Sequence, residues 1–309
     1  MDTRQLRYFV AVYEHRNLGL AAQAKHVAQS AISQQILKLE TEHGVQLFHR
    51  LPRGMQPTAA GTRLYEHAQV ILRSMSAASD DLRHFAAEIS GDIQLGLPFT
   101  VIDAIGIELM TQFRELYPKA RLILHESLSA DLHHQLLAGE HDWILSYNPP
   151  RQERVVQQRV VEEELCCIGT REYLGDDDQR PILLDDMLRL PQVVLRRGEA
   201  SRSMSAQGRL LDELHAHAVI EINSTNGLRK AVSAGVGVVA SPTITFRDLV
   251  AEGIVLARPI EPRTTRLLQL CRLADRLPTA LMEAAQTMTL GLIRQQVDAR
   301  RWDVVTVDD

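Results

Sequence analysis

Cysteine, long apolar runs and catalytic motifs are all scarce in this chain of 309 residues. The three cysteines, Cys166, Cys167 and Cys271, match neither a disulfide framework nor a set of metal ligands, and we expect the adjacent Cys166 and Cys167 to be buried, inert thiols. No apolar run approaches the roughly 18 residues of a membrane-spanning helix, and the first residues do not resemble a secretory signal. No G-x-S-x-G, phosphate-binding loop or telling pair of carboxylates occurs. We therefore expect a cytoplasmic protein without membrane partner, metal, cofactor or catalytic residue.

Positive charge is also in short supply, since 34 Lys and Arg oppose 39 Asp and Glu. The net charge of −5, taken alone, argues against a nucleic-acid partner. The charges are unevenly divided, however. Residues 1–60 hold seven basic and four acidic side chains, whereas the other 249 residues carry eight surplus negative charges. This asymmetry indicates that the first part of the chain, and not the rest, meets a polyanion.

Short helices are predicted over residues 1–44. Apolar residues recur at helical spacing at Leu6, Phe9, Val10 and Tyr13, and again at Ile32, Ile36 and Leu39. Between these two helices Asn17 can cap a further one, and Gly44 can end the last. Two extended segments around a turn at 52–54 then predict a small β-wing.

The third helix carries polar residues on its leading face: Gln29, Ser30, Ser33, Gln34 and Lys38. A helix that enters the major groove needs such side chains, because glutamine pairs with N6 and N7 of adenine and serine bonds a base edge or a phosphate. Arg50 and Arg53 of the wing would contact the flanking phosphates. The sequence therefore predicts double-stranded DNA as a partner.

Residues 58–88 predict one long helix without proline, capped by Thr58. Its apolar residues alternate spacings of four and three: Leu64, Ala68, Ile71, Met75, Ala78, Leu82 and Phe85. This heptad register is typical of helices that pair through a narrow seam, so we interpret it as a dimerisation helix. A core helix of a single domain is the alternative, although such a helix usually has a wider apolar stripe.

After residue 90 strands and helices alternate up to a closing helix at 281–297, which predicts mostly parallel sheets covered by helices, in one domain or two similar lobes. The run at 235–240 fits G-x-G-x-x-A, but a helix precedes it and a strand follows, so we predict a helix-to-strand turn. The acidic runs at 162–164 and 176–178 are expected to be solvated surface, and His215 with His217 a surface turn.

Several stretches of the first sixty residues resemble one family. They are AAQAKHVAQSAISQQI at 21–36, GVQLFHR at 44–50 and LRYFVAV at 6–12. In combination they are similar to the helix-turn-helix of the LysR-type transcriptional regulators, and 57–68 is also similar to the nitrogen-assimilation control branch. The resemblance implies a DNA-binding regulator that recognises an inverted-repeat promoter site as a homodimer. It further implies assembly to a homotetramer, with RNA polymerase as another candidate partner.

The resemblance also implies an α+β multidomain fold. A winged helix-turn-helix would occupy 1–60, the linker helix 58–88, the effector-binding domain 91–300 and a tail 301–309. The effector-binding domain would resemble periplasmic binding proteins, with Rossmann-like lobe I at 91–160 and 267–299 and lobe II at 161–266. The resemblance also implies which residues bind the effector. They are Pro98, Phe99, Thr100, Val101, Ser127, Leu128, Ser129, Ser146, Tyr147, Arg196, Arg197, Ser201, Arg202, Ser224, Thr225 and Phe246. Thr100 and Ser224 also sit just before predicted helices, where free N–H groups suit an anionic small molecule.

The sequence departs from the family pattern in its DNA-binding part. Ala28 stands where Ser or Thr is usual, so the third helix lacks a side-chain cap, which costs about 1 kcal/mol. Lys25 replaces an apolar residue, and Asn17-Leu18-Gly19 replaces Ser-Phe-Thr. The alternative function is a solute-binding or enzymatic βα protein whose N-terminal helices are only a docking module.

Overall fold

A computed structural model describes residues 1–51, 54–84, 89–176, 180–196 and 208–307. The chain divides into two compact units, one of residues 1–88 with 138–140 and the other of residues 89–137 with 141–309. Within the described ranges no helix is long and apolar enough to cross a membrane.

The first unit is built from short helices, a wing and one long helix. Its described elements are α1 (Thr3–His15), α2 (Leu18–Ala24), α3 (Gln29–His43), β1 (Phe48–Leu51), β2 (Gly54–Pro57) and α4 (Ala59–His84). Asn17 caps α2 as predicted, because its side-chain oxygen accepts the backbone N–H groups of Gly19 and Leu20 at 2.8 and 3.1 Å. Gly44 ends α3 in the left-handed conformation, with φ of 67°.

The predicted wing is confirmed, since β1 and β2 pair antiparallel. It is attached to the end of α1, where the Met55 N–H donates to the carbonyl oxygen of Arg16 at 2.8 Å. A Cβ atom on Gly54 would lie 2.5 Å from that same oxygen, and the φ of Gly54 is +143°. Only glycine fits this close approach.

The long helix α4 begins as predicted, because the Thr58 hydroxyl accepts the Gly61 N–H at 3.0 Å. Its first turns pack on the three short helices, whose shared core contains Phe9, Ile32, Ile36 and Leu39. The helix is described as far as His84.

The second unit alternates strands and helices. It begins with β3 (Gly91–Leu97), α5 (Phe99–Leu116), β4 (Ala120–Glu126), α6 (Ser129–Leu137), β5 (Trp143–Tyr147) and β6 (Val155–Glu164). Its middle part comprises β7 (Cys166–Gly169), α7 (Arg171–Leu174), β8 (Ile182–Leu183), α8 (Leu184–Leu188), β9 (Gln192–Leu195), α9 (Gly208–Ala216), β10 (Ala218–Ile222), α10 (Thr225–Ser233), β11 (Val239–Ser241), α11 (Arg247–Ala251) and β12 (Leu256–Glu261). It closes with β13 (Thr265–Leu273), α12 (Ala280–Asp298) and β14 (Thr306–Val307).

Separate sheets divide this unit into two lobes. Lobe I has the strand order β14-β6-β13-β5-β3-β4, with β3 parallel to both β4 and β5. Lobe II has the order β11-β7-β12-β8, and a bridge between Gln192 and Val238 connects it to the parallel pair β9 and β10. The alternation of strands and helices therefore builds two lobes, not one domain.

The antiparallel strands β6 and β13 carry the chain between the lobes. They pair as far as Glu164 and Thr265, so the chain leaves lobe I after residue 164 and returns at 265. The resemblance implies crossover strands near 159–161 and 265–267, and these residues lie within β6 and β13. The end of the chain is part of lobe I as well, because β14 pairs with β6 and Trp302 is buried.

One predicted helix start is wrong. The helix α5 begins at Phe99 and not after Thr100 as predicted, and Pro98 occupies the N-cap position. Proline fixes the φ angle needed there and has no N–H to satisfy. Thr100 therefore lies inside the first turn of α5 and is not its cap, whereas Ser224 does cap α10 by accepting the Gly227 N–H at 3.1 Å.

Candidate functional site

The outer face of α3 carries the predicted DNA-reading residues. The side chains of Gln29, Ser30, Gln34 and Lys38 are exposed and that of Ser33 is half-buried. Their neighbour Gln35 differs, because its side-chain oxygen accepts an N–H from the buried Gln5 at 3.1 Å. In the described part of the chain, no such bond ties Gln29 or Gln34 to the protein. These two amides are therefore available to a partner.

The start of α3 and the wing flank this face. Ala28 occupies the N-cap position without a side-chain acceptor, as predicted from the sequence. Arg50, a predicted phosphate contact, is exposed on β1. Arg53, the other predicted wing contact, lies outside the described residues.

The predicted seam of α4 divides into two parts. Ala68 is completely buried, and with Leu64 it packs on the core of α1 to α3. Further along, Ile71 and Met75 are 38% and 48% exposed, and Ala78 is exposed too. The side chain of Leu82 and the whole of Phe85 lie outside the description. Within the described residues, the apolar surface free for a second chain begins at Ile71.

A cavity of about 620 Å³ lies between the two lobes of the second unit. The first residues of α5, α6 and α10 all line it, so the N-terminal ends of these helices converge there. The structure brings together ten of the predicted effector-binding residues around it: Pro98, Phe99, Thr100, Ser127, Leu128, Ser129, Tyr147, Arg196, Ser224 and Thr225.

Six predicted effector-binding residues are not placed at the cavity. Val101 and Phe246 are completely buried in the hydrophobic cores of the lobes. Ser146 is buried as well, and its hydroxyl donates to the Ser129 carbonyl at 3.3 Å. The remaining three lie outside the described residues, namely Arg197, Ser201 and Arg202.

Hydroxyl groups of lobe I form a fixed network at the cavity wall. The Thr100 and Tyr147 hydroxyls are hydrogen-bonded at 2.9 Å, and the Ser129 hydroxyl accepts the Tyr147 backbone N–H at the same distance. Burial raises the pKa of Tyr147, so its phenol remains protonated and keeps a hydrogen to donate. The wall therefore presents neutral polar groups in set positions.

Charged residues at the cavity were missed by the sequence analysis. Arg266 lines it and donates from Nε to Glu163 at 2.6 Å, while its guanidinium stacks 3.6 Å from the centre of the Tyr147 ring. The expectation that Glu163 is solvated is wrong, because its carboxylate is completely buried. The alternation of inward and outward residues along β6 was the available signal.

His215 was also assigned incorrectly. It does not belong to a surface turn, because α9 extends through it to Ala216 and places its ring at the cavity. The ring Nε2 lies 3.1 Å from the Leu195 carbonyl oxygen. Among the described residues, no group of three side chains could hold a metal ion.

Comparison with known proteins decides the family. Residues 3–62 match the model of the bacterial regulatory helix-turn-helix proteins of the lysR family, and residues 86–290 match the LysR substrate binding domain. The chain belongs to the LysR family. It is 30% identical to the nitrogen assimilation regulatory protein nac of Escherichia coli (strain K12), over 99% of this chain and 100% of that protein. It is 33% identical to the Klebsiella aerogenes protein of the same name over 81% of each. The structure of a full-length OxyR variant from Pseudomonas aeruginosa has a TM-score of 0.70 at 22% identity, over 95% of each chain.

Membership of the LysR family settles the general function. The chain is a DNA-binding transcriptional regulator with an effector-binding domain, and it is not an enzyme. The alternative of a solute-binding or enzymatic protein with a docking module is therefore wrong, because the family matches include both the helix-turn-helix and the two-lobed domain.

The thiols of this LysR regulator are poorly suited to redox sensing. All three are buried and unpaired, and burial raises the pKa of Cys166 to about 11 and those of Cys167 and Cys271 to about 12. A thiol that senses oxidants needs exposure and a lowered pKa.

Proposed function

We propose that this LysR regulator binds an inverted-repeat promoter site as a homodimer and responds to a small anionic molecule in the cavity between its lobes. Three observations support it: the free polar face of α3, the exposed seam from Ile71 onward, and the cavity itself. The convergence of α5, α6 and α10 on one cavity carries the effector part of the proposal. The protein would act in the cytoplasm, where it meets promoter DNA.

An anion suits this cavity because of how helices end. The first N–H groups of a helix have no carbonyl partner within the helix, and the macrodipole adds about half a positive charge there. Phe99 and Thr100 belong to the first turn of α5, Ser129 begins α6 and Thr225 begins α10. A ligand with one negative end would receive N–H donors from both lobes and hold them together.

The effector changes transcription only if it favours one arrangement of lobes or subunits over another. A ligand that contacts both walls of the cavity meets this condition, because opening of the lobes would break half of its bonds. Pairing through α4 then passes the change to two DNA-binding heads. We extend the proposal to a homotetramer and to contact with RNA polymerase when bound at a promoter.

Electrophoretic mobility shift tests the DNA part of the proposal. Gln29→Ala and Ser33→Ala should weaken binding to a specific promoter site more than to random DNA, because these residues would read base edges. Arg50→Ala should weaken both equally, as a phosphate contact does. Gln46→Ala is the matched control, since Gln46 is an exposed glutamine outside α3. Equal losses on both DNAs for Gln29→Ala would refute base reading by that side chain.

A reporter gene under the target promoter tests the effector part. Thr100→Val removes the hydroxyl bonded to Tyr147 while preserving the shape of the side chain. We expect the variant to bind DNA normally and to lose its response to the inducing condition. A full response in this variant would exclude Thr100 from the effector site.

A further inference from the structure

A buried ion pair at the cavity connects it to the end of the chain. Glu163 is completely buried, and both of its carboxylate oxygens accept hydrogen bonds. The Arg266 Nε donates to Oε2, and the Trp302 indole Nε1 donates to Oε1, both at 2.6 Å. Glu163 thus holds one group that faces the effector cavity and one that belongs to the C-terminal segment.

The fold fixes all three groups. Glu163 and Arg266 are directly opposite each other on β6 and β13, the strands that join the lobes. Trp302 is 1% exposed, and the residues after it are tied to β6, since Val305 N–H donates to the Glu162 carbonyl at 2.6 Å. Rigid strand pairing therefore sets the position of the Arg266 guanidinium.

Arg266 has one side-chain nitrogen without a hydrogen-bond partner among the described residues. The Arg266 Nε donates to Glu163, and the guanidinium is stacked on the Tyr147 ring. The Nη2 group is buried and has no hydrogen-bond partner within the residues that the structure describes. A buried guanidinium nitrogen without an acceptor is unfavourable, and the two Nη groups together match the two oxygens of a carboxylate.

The other charges at the cavity narrow the ligand class. Arg196 is the second cation among the described lining residues, and the carboxylates of Glu126 and Asp131 line the cavity too. With Glu163 behind Arg266, this surrounding would repel a doubly charged oxyanion such as phosphate. A single carboxylate on an otherwise uncharged molecule matches the guanidinium of Arg266, which Glu163 holds in place.

We propose that Arg266 binds the carboxylate of a small monocarboxylic acid effector and that Trp302, acting through Glu163, is a positioning residue for Arg266. The C-terminal segment that contains Trp302 then contributes to the effector site. The inference rests on the proposed effector function of the cavity and names its ligand class. A purely structural ion pair would instead affect all ligands of the cavity equally.

Thermal-shift and calorimetric titration of the full-length protein test the ligand class. The probes are sodium acetate, lactate and benzoate, each beside its neutral amide, with inorganic phosphate as the dianion and sodium chloride to equalise ionic strength. We expect at least one carboxylate to raise the melting temperature while its amide and phosphate do not. Stabilisation by amides alone, by phosphate alone or by no probe overturns the proposal.

Substitution of Arg266 tests whether this residue binds the carboxylate. Arg266→Gln should weaken binding of the active carboxylate by about 10- to 100-fold, the loss of hydrogen bonds to a charged group. Because this change leaves Glu163 buried without its cation, Glu163→Gln/Arg266→Gln serves where the single variant does not fold. Unchanged affinity in a folded variant overturns the role of Arg266.

The two tryptophans provide a matched pair for the positioning role. Trp302→Phe removes the indole N–H that Glu163 accepts, whereas Trp143→Phe removes a buried indole N–H that has no partner in the described structure. The readout is the ratio of the affinities for a carboxylate and its amide. We expect Trp302→Phe to lower this ratio roughly tenfold and Trp143→Phe to leave it unchanged. Equal ratios in both variants overturn the positioning role.

Fluorine NMR of protein labelled with 5-fluorotryptophan adds a spectroscopic signature. Addition of the active carboxylate should shift the Trp302 resonance and not that of Trp143, which the Trp143→Phe variant assigns. A Trp302 signal that does not respond contradicts the connection through Glu163. The ligand class and the proposed function can fail separately. A neutral probe that binds the cavity and alters DNA binding would support the effector site and refute the carboxylate as its ligand.

Discussion

The missing cap of the recognition helix allows a quantitative prediction. Ala28 already has the extended backbone of an N-cap residue, with φ −68° and ψ 141°, and its carbonyl oxygen accepts the Ala31 N–H at 3.0 Å. Only the side-chain oxygen is absent, and the exposed position leaves room for it. Ala28→Thr should therefore stabilise the DNA-binding head by about 1 kcal/mol, a roughly fivefold change in its unfolding equilibrium. Ala28→Val has the same shape without the oxygen and should give no such gain.

Hydrogen exchange of the full chain measures this change. Amides of 29–36 should exchange about fivefold more slowly in Ala28→Thr, while amides of lobe I, such as 101–116, provide the internal control. Asn17→Ala calibrates the assay, because it removes two capping bonds from the neighbouring helix and should cost about 1 kcal/mol. If Asn17→Ala accelerates exchange and Ala28→Thr equals Ala28→Val, the reasoning about the cap is refuted.

Four further predictions concern assembly, thiol reactivity, the pH dependence of stability and the salt dependence of DNA binding. Ile71→Asp should separate the chains in analytical ultracentrifugation, because Ile71 is the first exposed residue of the seam, whereas Thr62→Asp on the opposite face of α4 should not; an unchanged oligomer would exclude this seam. Alkylation of the native protein at pH 8 should leave all three cysteines unmodified, since a thiol of pKa 12 is about 0.01% ionised there. The free energy of unfolding should fall between about pH 9 and 11, because the unfolded chain loses thiol protons that the folded chain keeps. A melting temperature that stays constant over this pH range would contradict the raised thiol pKa values. The affinity for DNA, measured by titration at a series of salt concentrations, should fall steeply as salt increases. The slope of log affinity against log salt concentration should halve in Ile71→Asp, whose dimerisation is broken.

Local signals in the sequence predicted most of the elements. Asn17, Thr58 and Gly44 act as the expected caps because capping depends on bonds to residues two to four positions away. The wing was predictable for the same reason, since a turn fixes which strands pair. The start of α5 was not, because Phe99 and Val101 are themselves apolar and extend the helical pattern toward Pro98 without a visible break.

The charged part of the candidate site escaped prediction because its contacts are distant in the sequence. Glu163 is separated from Arg266 by 103 residues and from Trp302 by 139. Strand registers bring these groups together, and a single sequence does not reveal which strands pair or in which register. The surrounding glutamates, Glu162 and Glu164, have partly exposed side chains, which the acidic run led us to expect for all three.

The bond to Arg266 provides only part of the free energy that an effector needs to change the arrangement of the lobes. To invert an equilibrium between two lobe arrangements from 1:99 to 99:1, a ligand must favour one of them by about 5.5 kcal/mol. A carboxylate bound to one arginine contributes about 1.5–3 kcal/mol, so Arg266 alone does not suffice. Under the proposed function the helix ends would supply the remainder, because α5 and α6 line the cavity from lobe I and α10 lines it from lobe II, and a ligand bound to both would lose its second set of bonds when the lobes part. Arg266 lies at the start of β13, where the chain passes between the lobes, so under this proposal the residue that binds the carboxylate also lies at the connection between the two lobes.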